Sequence, residues 1–240
     1  MPSVCLYFRV HIPYRLKFFP KRTIADAGNL FDLEANQSAI NKLADECYLP
    51  ANKIIQELII TNKGKFAVSF SISGTAIELL ERYRPDVLDS FKALAETGCV
   101  EFLAETYYNS LSWLHSKKEF RRQVEMHQHT IEATFGCTPV VFRNTELIYN
   151  NELADFIAAM GYKGILCEGL ESILNERTPN QLYAAPGNKN IKIILRNTRL
   201  SDDIAFRFDD ATWNEQPLTA EKFAGWIHTH DEQTSNIHLY

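Results

Sequence analysis

Short runs of β-branched and aromatic residues alternate with helical patterns along this chain, and this alternation constrains the fold more than any other feature. The strand patterns lie at residues 4–10, 66–72, 100–103, 139–142, 164–167, 182–186, 191–195 and 237–240. The helical patterns lie at residues 39–48, 53–60, 76–83, 86–95, 117–135, 153–160 and 220–228. Strands joined through helices form right-handed crossovers and a largely parallel sheet. We therefore expect an α/β fold and, because no stretch before residue 200 resembles a linker, a single domain over residues 1–240.

Proline and glycine mark the ends of several predicted helices. Pro50 is expected to break the first helical region, and Pro85 to separate the two helices around it. Ser116 has the capping-box spacing at the start of the helix over 117–135, and Gly136 should end that helix in a left-handed conformation.

Composition argues against several classes of partner. The chain has a formal net charge of -5, whereas nucleic acid demands a basic surface. No run of apolar residues is long enough to cross a membrane, so we expect no membrane partner. Residues 1–10 resemble a strand with Arg9 inside it and not a signal peptide.

The cysteines indicate a reducing compartment. There are five, an odd number, they lie far apart, and no two form a Cys-x-x-Cys pair. Neither a disulfide framework nor a zinc ribbon is therefore indicated, and a cytoplasmic location fits best.

The stretch Phe142–Asn151 places the carboxylate of Glu146 between a predicted strand and a predicted helix. In repeated β-α units the loops after the strands gather at one edge of the sheet, where catalytic side chains are held rigidly. A helix amino end also favours a nearby anion. Glu146 is therefore a candidate nucleophile or electrostatic partner, although its position alone also fits a solvated loop acid.

Most reactive side chains at the predicted strand ends are acidic. They are Glu101, Glu105, Glu146, Glu168, Asp202 and Asp203, together with His11 and the segment 71–74. Two carboxylates facing a glycosidic bond can cleave it, because one protonates the leaving oxygen while the other attacks or stabilises the sugar carbon. Two of these positions have a plainer interpretation: His11 also fits a structural histidine, and the aspartates fit the first turn of a helix capped by Ser201.

Paired histidines offer a metal site as the alternative, of the kind that deacetylase chemistry on a related barrel requires. His127 and His129 lie within the predicted helix over 117–135, where residues two apart point away from each other. His127 also falls on the apolar stripe, which favours a hydrogen-bonded core histidine. His228 and His230 fit a solvated helix end. We therefore expect no metal and no other cofactor.

Four segments, in order, resemble glycoside hydrolase family 57, and specifically its α-amylase-type members. His11-Ile12-Pro13 resembles the family's His-Gln-Pro motif after the first strand, and Gly98-Cys99-Val100-Glu101 resembles its Gly-x-x-Glu motif. The stretch from Phe142 to Tyr149 resembles the region that carries the nucleophilic glutamate. The segment 197–208 also resembles the α-amylase-type members.

The resemblance implies an incomplete (β/α)7 TIM-like barrel and action on α-1,4-glucans with retention of anomeric configuration, by hydrolysis or transfer, without an obligatory metal. It makes Glu146 the catalytic nucleophile. It gives His11 and Glu101 substrate-contacting roles near the cleaved bond, and places Arg143 in the lining of the sugar site. Asp203, in the last of the four segments, is a further substrate-binding candidate. The implied partner is an α-glucan or maltooligosaccharide.

Two departures from the family pattern qualify these implications. The family's acid/base aspartate lies in a segment like Asp-Tyr-Glu-Thr-Phe-Gly, and nothing like it occurs in residues 1–240. We therefore expect an amino-terminal part of the catalytic barrel, truncated before its last strands and the following helical domain, and inactive by itself. Ile12 replaces the glutamine of the first motif, which removes an amide that could bond a sugar hydroxyl. The alternative function is accordingly an amylase-like glucan-binding protein with little or no activity.

Overall fold

The computed structural model describes residues 3–18, 30–229 and 237–240. The chain divides into two compact units. The first unit is Phe8–Pro139, and the second unit combines Met1–Tyr7 with Val140–Tyr240. The single domain expected over residues 1–240 stays a prediction.

The described strands and helices follow the predicted alternation. The strands are β1 (Ser3–Cys5), β2 (Tyr7–Val10), β3 (Val68–Ile72), β4 (Val100–Phe102), β5 (Val141–Arg143), β6 (Gly164–Glu168), β7 (Leu182–Ala185), β8 (Asn188–Arg196) and β9 (Ile237–Leu239). The helices are α1 (Leu33–Leu43), α2 (Leu49–Thr61), α3 (Gly74–Tyr83), α4 (Pro85–Glu96), α5 (Lys117–Phe135), α6 (Asn151–Ala159), α7 (Glu171–Leu174), α8 (Thr198–Ala205) and α9 (Ala220–Thr229). None of the helices in the described ranges is long and apolar enough to cross a membrane.

The first unit is built on a three-stranded sheet in the order β2-β3-β4, with β3 and β4 parallel. One face of this sheet carries Phe70 and Phe102. The ring of Phe70 meets Phe91 of α4 edge-on at 5.1 Å between centroids, and Phe102 stacks on Phe135 of α5 at 4.1 Å. Alternate residues of a strand point to opposite faces, so Glu101 lies on the face away from these aromatic contacts.

The second unit is built on a six-stranded sheet. Its order is β1-β9-β8-β6-β5, and β7 pairs with β8 in an antiparallel hairpin. The pairs β5–β6, β6–β8, β8–β9 and β1–β9 are all parallel. The predicted α/β fold with parallel strands is therefore confirmed.

The first predicted strand, residues 4–10, is divided between the two sheets. β1 pairs with β9, whereas β2 belongs to the sheet of the first unit. Leu6 separates them, and the amide of Tyr7 still donates to the carbonyl of Tyr240 at 3.0 Å. A continuous alternating pattern cannot show this exchange, because both halves have the composition of a strand.

The prediction that Pro50 breaks the helical region is wrong. The chain is helical without interruption from α1 through a π-helical segment, Ala44–Tyr48, into α2. Pro50 lies in the first turn of α2. A proline has no amide to donate to the preceding turn, and its ring would clash with a normal α turn there, but the wider π turn before Pro50 accommodates the ring.

The predicted ends of α5 are confirmed. The Ser116 side chain accepts a hydrogen bond from the Glu119 amide at 3.2 Å, and Gly136 follows the helix with φ of 70°. Pro85 does begin α4, as expected.

Candidate active site

The carboxyl ends of three adjacent parallel strands meet at one edge of the second unit's sheet. β5 ends at Arg143, β6 at Glu168 and β8 at Arg196. Neighbouring strands lie about 4.8 Å apart, so the loops that follow these residues share one edge. This edge carries the predicted nucleophile.

Glu146 occupies a tight 3-10 turn, Thr145–Leu147, directly after β5. Its backbone is left-handed, with φ of 53° and ψ of 25°, and Leu147 is also left-handed, with φ of 54°. Residues other than glycine adopt this conformation at a cost of order 1 kcal/mol, and such strain concentrates at functional sites.

The turn is fixed by its own hydrogen bonds. The amide of Leu147 donates to the Asn144 carbonyl at 3.0 Å, and the Asn144 side chain donates to the Ile148 carbonyl at 3.0 Å. Asn144 and Thr145 are buried, whereas Glu146 between its buried neighbours is exposed. A rigid turn therefore presents the carboxylate to solvent at the edge where catalytic groups of such sheets collect.

Arg143 lies in the interior of the same unit, with 3% of its surface exposed. It pairs in register with Leu166 of β6. The preceding residue, Phe142, is fully buried and lies 5.8 Å from the ring of Tyr162. Alternation along β5 directs Arg143 to the opposite face of the sheet from Phe142.

A second cluster joins the ends of β6 and β8. The Arg196 Nε donates to both carboxylate oxygens of Glu168, at 3.0 and 3.2 Å, and another nitrogen donates to Asp202 at 3.1 Å. The Thr198 hydroxyl also donates to Glu168. Burial opposes the charge of Arg196, but the hydrogen bond and the charges of the two acids outweigh it and raise its pKa.

Asp203 lies on α8 and not in a first turn, so the expected cap is wrong. The Asn197 side chain caps this helix by accepting from the Leu200 amide at 3.1 Å, and Ser201 is buried within the helix. Asn197 is the cap because it is the residue that directly follows β8. Asp203 is buried and forms an ion pair with Arg207.

The other two predicted site residues belong to the first unit. His11 follows β2, and its Nδ1 lies 2.8 Å from the hydroxyl oxygen of Ser73, which caps α3. Glu101 is the middle residue of β4 and pairs with Ser69. Part of the Glu101 surface is exposed, yet the protein packed around it withdraws enough water to raise the pKa of its carboxyl.

His127 is a core histidine, as its position on the apolar stripe predicted. It is fully buried; its Nε2 donates to the Ile72 carbonyl at 2.8 Å, and its Nδ1 accepts from the Glu105 amide at 3.3 Å. Burial lowers its pKa to about 4. The two backbone partners require the neutral ring, so His127 links α5 to the ends of β3 and β4.

Sequence reasoning named Glu105 and Glu168 as strand-end acids but could not assign their partners. Glu105 is fully buried, and its Oε1 lies 4.0 Å from Nε2 of His127. Glu168 pairs with Arg196 across two strands. The first contact depends on how the loop after β4 lies on α5, and the second depends on sheet register, which alternation alone does not fix. Within the described ranges no three histidine, cysteine or acidic residues lie together as a metal site would require.

The chain is similar in sequence to known proteins. The family profile described as Glycosyl hydrolase family 57 matches residues 5–240. A curated protein of Methanocaldococcus jannaschii, called "Putative alpha-amylase", is 43% identical over 238 residues, which cover 97% of this chain and 49% of that protein. The chain thus spans about half the length of this relative.

Solved structures share the fold at lower identity. The 4-alpha-glucanotransferase of Thermococcus litoralis is 17% identical with a TM-score of 0.73, over 100% of this chain and 33% of that one. A branching enzyme of Thermococcus kodakaraensis is 12% identical with a TM-score of 0.69, over 99% of this chain and 63% of that one. At these identities the likeness concerns the fold alone.

Proposed function

Because this chain belongs to glycosyl hydrolase family 57, we propose that the whole protein cleaves or transfers α-1,4-glucans with retention of configuration, and that Glu146 is its nucleophile. The observation that carries the proposal is the exposed carboxylate of Glu146 on a strained turn at the carboxyl end of β5. The names of the similar proteins, an α-amylase and a glucanotransferase among them, support an α-glucan or maltooligosaccharide as the substrate.

The proposed reaction has two steps. The Glu146 carboxylate attacks the anomeric carbon, the glycosidic bond breaks, and an acid protonates the departing oxygen. Water or a sugar hydroxyl then attacks the glycosyl-enzyme ester and gives its proton to the conjugate base of that acid. The ester bond breaks, which frees Glu146. Water gives hydrolysis, and a sugar hydroxyl gives transfer.

The remaining predicted residues take supporting roles in this proposal. Arg143, three residues before Glu146, would contribute positive charge to the sugar site beside the nucleophile. His11 and Glu101 would contact the substrate near the cleaved bond. Asp203 would contribute to substrate binding through its ion pair with Arg207.

The acid that protonates the leaving oxygen is not assigned to a residue of this chain. No segment of residues 1–240 resembles the family's Asp-Tyr-Glu-Thr motif. We propose that the 240-residue chain by itself binds glucan without cleaving it. We also propose that the strands of both units belong to an incomplete (β/α)7 barrel, which the TM-score of 0.73 over the whole chain supports.

The expected location remains the cytoplasm. None of the five cysteines, which all lie within the described ranges, forms a disulfide, and this supports the proposed reducing compartment. The net charge of -5 supports the proposal that nucleic acid is not a partner.

One observation favours the second candidate, a glucan-binding protein with little or no catalysis. Ile12 stands where the family motif has glutamine, and only 1% of its surface is exposed. An isoleucine in the core offers no amide to a sugar hydroxyl. If the rest of the catalytic set has changed in the same way, the protein holds glucan but does not turn it over.

Replacing Glu146 by glutamine in the whole protein separates the two functions. An enzyme should lose roughly 10³-fold or more of its turnover, because the nucleophile acts only in the reaction, while maltoheptaose binding stays unchanged. Glu152→Gln, an exposed acid in the first turn of α6, is the matched control and should keep wild-type turnover. Equal rates for wild type and Glu146→Gln would remove Glu146 from the mechanism, and a wild type that binds but never cleaves would favour the second candidate.

A further inference from the structure

The turn that carries Glu146 contains two adjacent left-handed residues. Glu146 and Leu147 have φ of 53° and 54°. No other two neighbouring non-glycine residues in the described ranges share a positive φ. A bulky residue such as leucine rarely adopts this conformation, and the strain persists only where the surrounding structure holds it. Contacts around the turn must therefore keep it in this form.

One side-chain hydrogen bond spans the whole turn. Nδ2 of Asn144 donates to the carbonyl oxygen of Ile148 at 3.0 Å, so this bond closes a loop around both left-handed residues. The Leu147 amide donates to the Asn144 carbonyl at 3.0 Å, and the Ile148 amide donates to the carbonyl of Thr145 at 3.2 Å. Asn144 and Leu147 are buried, with 2% and 6% of their surfaces exposed. The loop is therefore fixed both by its own hydrogen bonds and by the protein packed around it.

Asn144 does not act as an ordinary helix cap. It precedes the 3-10 turn with an extended backbone, φ of -77° and ψ of 155°, but its side chain accepts no capping hydrogen bond. An asparagine in this place usually accepts from an amide two or three residues later. Its Oδ1 is instead buried and accepts no hydrogen bond from the described residues. A buried amide oxygen without a donor costs stability, so this side chain is poorly suited to stabilising the turn alone.

The direction of the Glu146 side chain depends on the backbone that the Asn144 bond holds. Without the bond, Glu146 and Leu147 would be free to return to the ordinary negative φ, and the carboxylate would move with the backbone. Misplacing a reacting group by about 1 Å can cost about 10²-fold in rate. Binding of the unreacted sugar does not require the same precision, because the nucleophile acts only in the reaction.

We propose that Asn144 is a positioning residue, whose side-chain amide holds the strained turn and thereby aims the Glu146 carboxylate at the anomeric carbon. This inference rests on the proposed function, since it takes Glu146 as the nucleophile. It adds that a buried neighbour of the nucleophile controls the rate of turnover but not the affinity for glucan.

The first test measures turnover and binding of maltoheptaose by the whole protein. Asn144→Ala should lower kcat by about 10-fold to 100-fold, while Kd from calorimetry stays within about twofold of wild type. Asn150→Ala is the matched control. The Asn150 side chain also bonds a backbone group, since it accepts from the Leu153 amide at 2.8 Å, but it caps α6 outside the turn. This variant should lose stability and keep the wild-type kcat.

Asn144→Asp gives a second readout, which a loss of stability would not produce. An ionised aspartate has the shape of asparagine but presents an acceptor to the Ile148 carbonyl, whereas a protonated one can donate to it again. The kcat of this variant relative to wild type, measured on protein that circular dichroism shows to be folded, should therefore rise severalfold as the pH falls from about 7 to about 4.5. The charged chain neighbours Arg143 and Glu146 are present in both proteins. The added negative charge alone would oppose ionisation of Glu146 and lower this ratio at acid pH.

The outcomes separate this inference from the proposed function. If Glu146→Gln is inactive but Asn144→Ala turns over maltoheptaose as wild type does, Asn144 is not a positioning residue, and the proposed function stands. If Asn150→Ala loses as much kcat as Asn144→Ala, the loss follows from destabilisation, and the inference is overturned. A ratio for Asn144→Asp that does not rise as the pH falls also overturns it, because the missing donor is then not the cause. If wild type does not cleave maltoheptaose, or Glu146→Gln keeps the wild-type rate, the proposed function and this inference are both wrong.

Discussion

At the scale of single residues, Glu146 and His127 lie in opposite environments, one exposed and the other buried. Glu146 holds a left-handed backbone and an exposed side chain between buried neighbours, and this backbone conformation costs stability. His127 is fully buried, and both of its ring nitrogens form hydrogen bonds with backbone groups. The first arrangement fits a group that must reach a substrate, and the second fits a group that holds the first unit together.

His127 should make the stability of the protein depend on pH. Its pKa falls from the ordinary 6.5 to about 4 in the folded chain. The unfolded chain therefore takes up a proton first as the pH falls, and the stability contributed above pH 6.5 is lost between pH 6.5 and 4, by up to about 3 kcal/mol. Urea unfolding at several pH values across this range should show the loss in wild type. In His127→Gln the free energy of unfolding should fall less steeply as the pH falls.

His129, two residues later on the exposed face of α5, supplies the control for that measurement. His129→Gln should keep the wild-type slope, because its side chain meets water in both the folded and the unfolded chain. The assignment to His127 fails if His127→Gln has the same slope as wild type.

Sequence alone could predict only part of the residue-scale chemistry. The apolar stripe identified His127 as a core residue, because helical spacing is local information. The approach of Glu105 to His127, at 4.0 Å, depends on how the β4 loop lies on α5. The Arg196–Glu168 pair likewise depends on which strands are neighbours.

At the scale of elements, local sequence signals predicted the ends of a helix well where one capping residue is available. They predicted those ends poorly where two candidate residues compete. Ser116 and Gly136 end α5 as expected. Ser201 and Asn197 are both good caps, and the end of β8 selected Asn197. Pro50 is tolerated inside a longer helical region because a π turn precedes it.

Two glycines offer a matched test of this local reasoning. Gly136 has φ of 70°, and a Cβ added there would meet no atom within 4 Å, so Gly136→Ala costs only backbone strain, about 1 kcal/mol. Gly225 lies inside α9, where an added Cβ also meets nothing within 4 Å, and Gly225→Ala should gain about 0.5–1 kcal/mol from helix propensity. The change in the free energy of unfolding, measured with urea, should therefore have opposite signs for the same substitution at the two positions. A shared sign would contradict the conformational explanation for one of the two positions.

At the scale of the whole molecule, the alternating pattern predicted the α/β class, but not that the described strands divide into sheets of three and six. Composition and periodicity report what each segment can form. They do not report that β1 pairs with β9 while β2 joins another sheet, because pairing partners far apart in sequence leave no local signal.

The 240-residue chain by itself is not expected to act as a catalyst. It contains the proposed nucleophile but no segment like the motif that carries the family's acid/base aspartate, and it corresponds to 49% of its relative from Methanocaldococcus jannaschii. A nucleophile without a proton donor cannot expel a sugar alkoxide at a useful rate, since general acid catalysis contributes roughly 10²–10⁴-fold. The purified chain should therefore bind maltoheptaose in calorimetry and release no reducing sugar from it or from starch. Release of reducing sugar that disappears in Glu146→Gln would show that a proton donor lies within these residues, with Glu168 and Glu101 the first acids to replace.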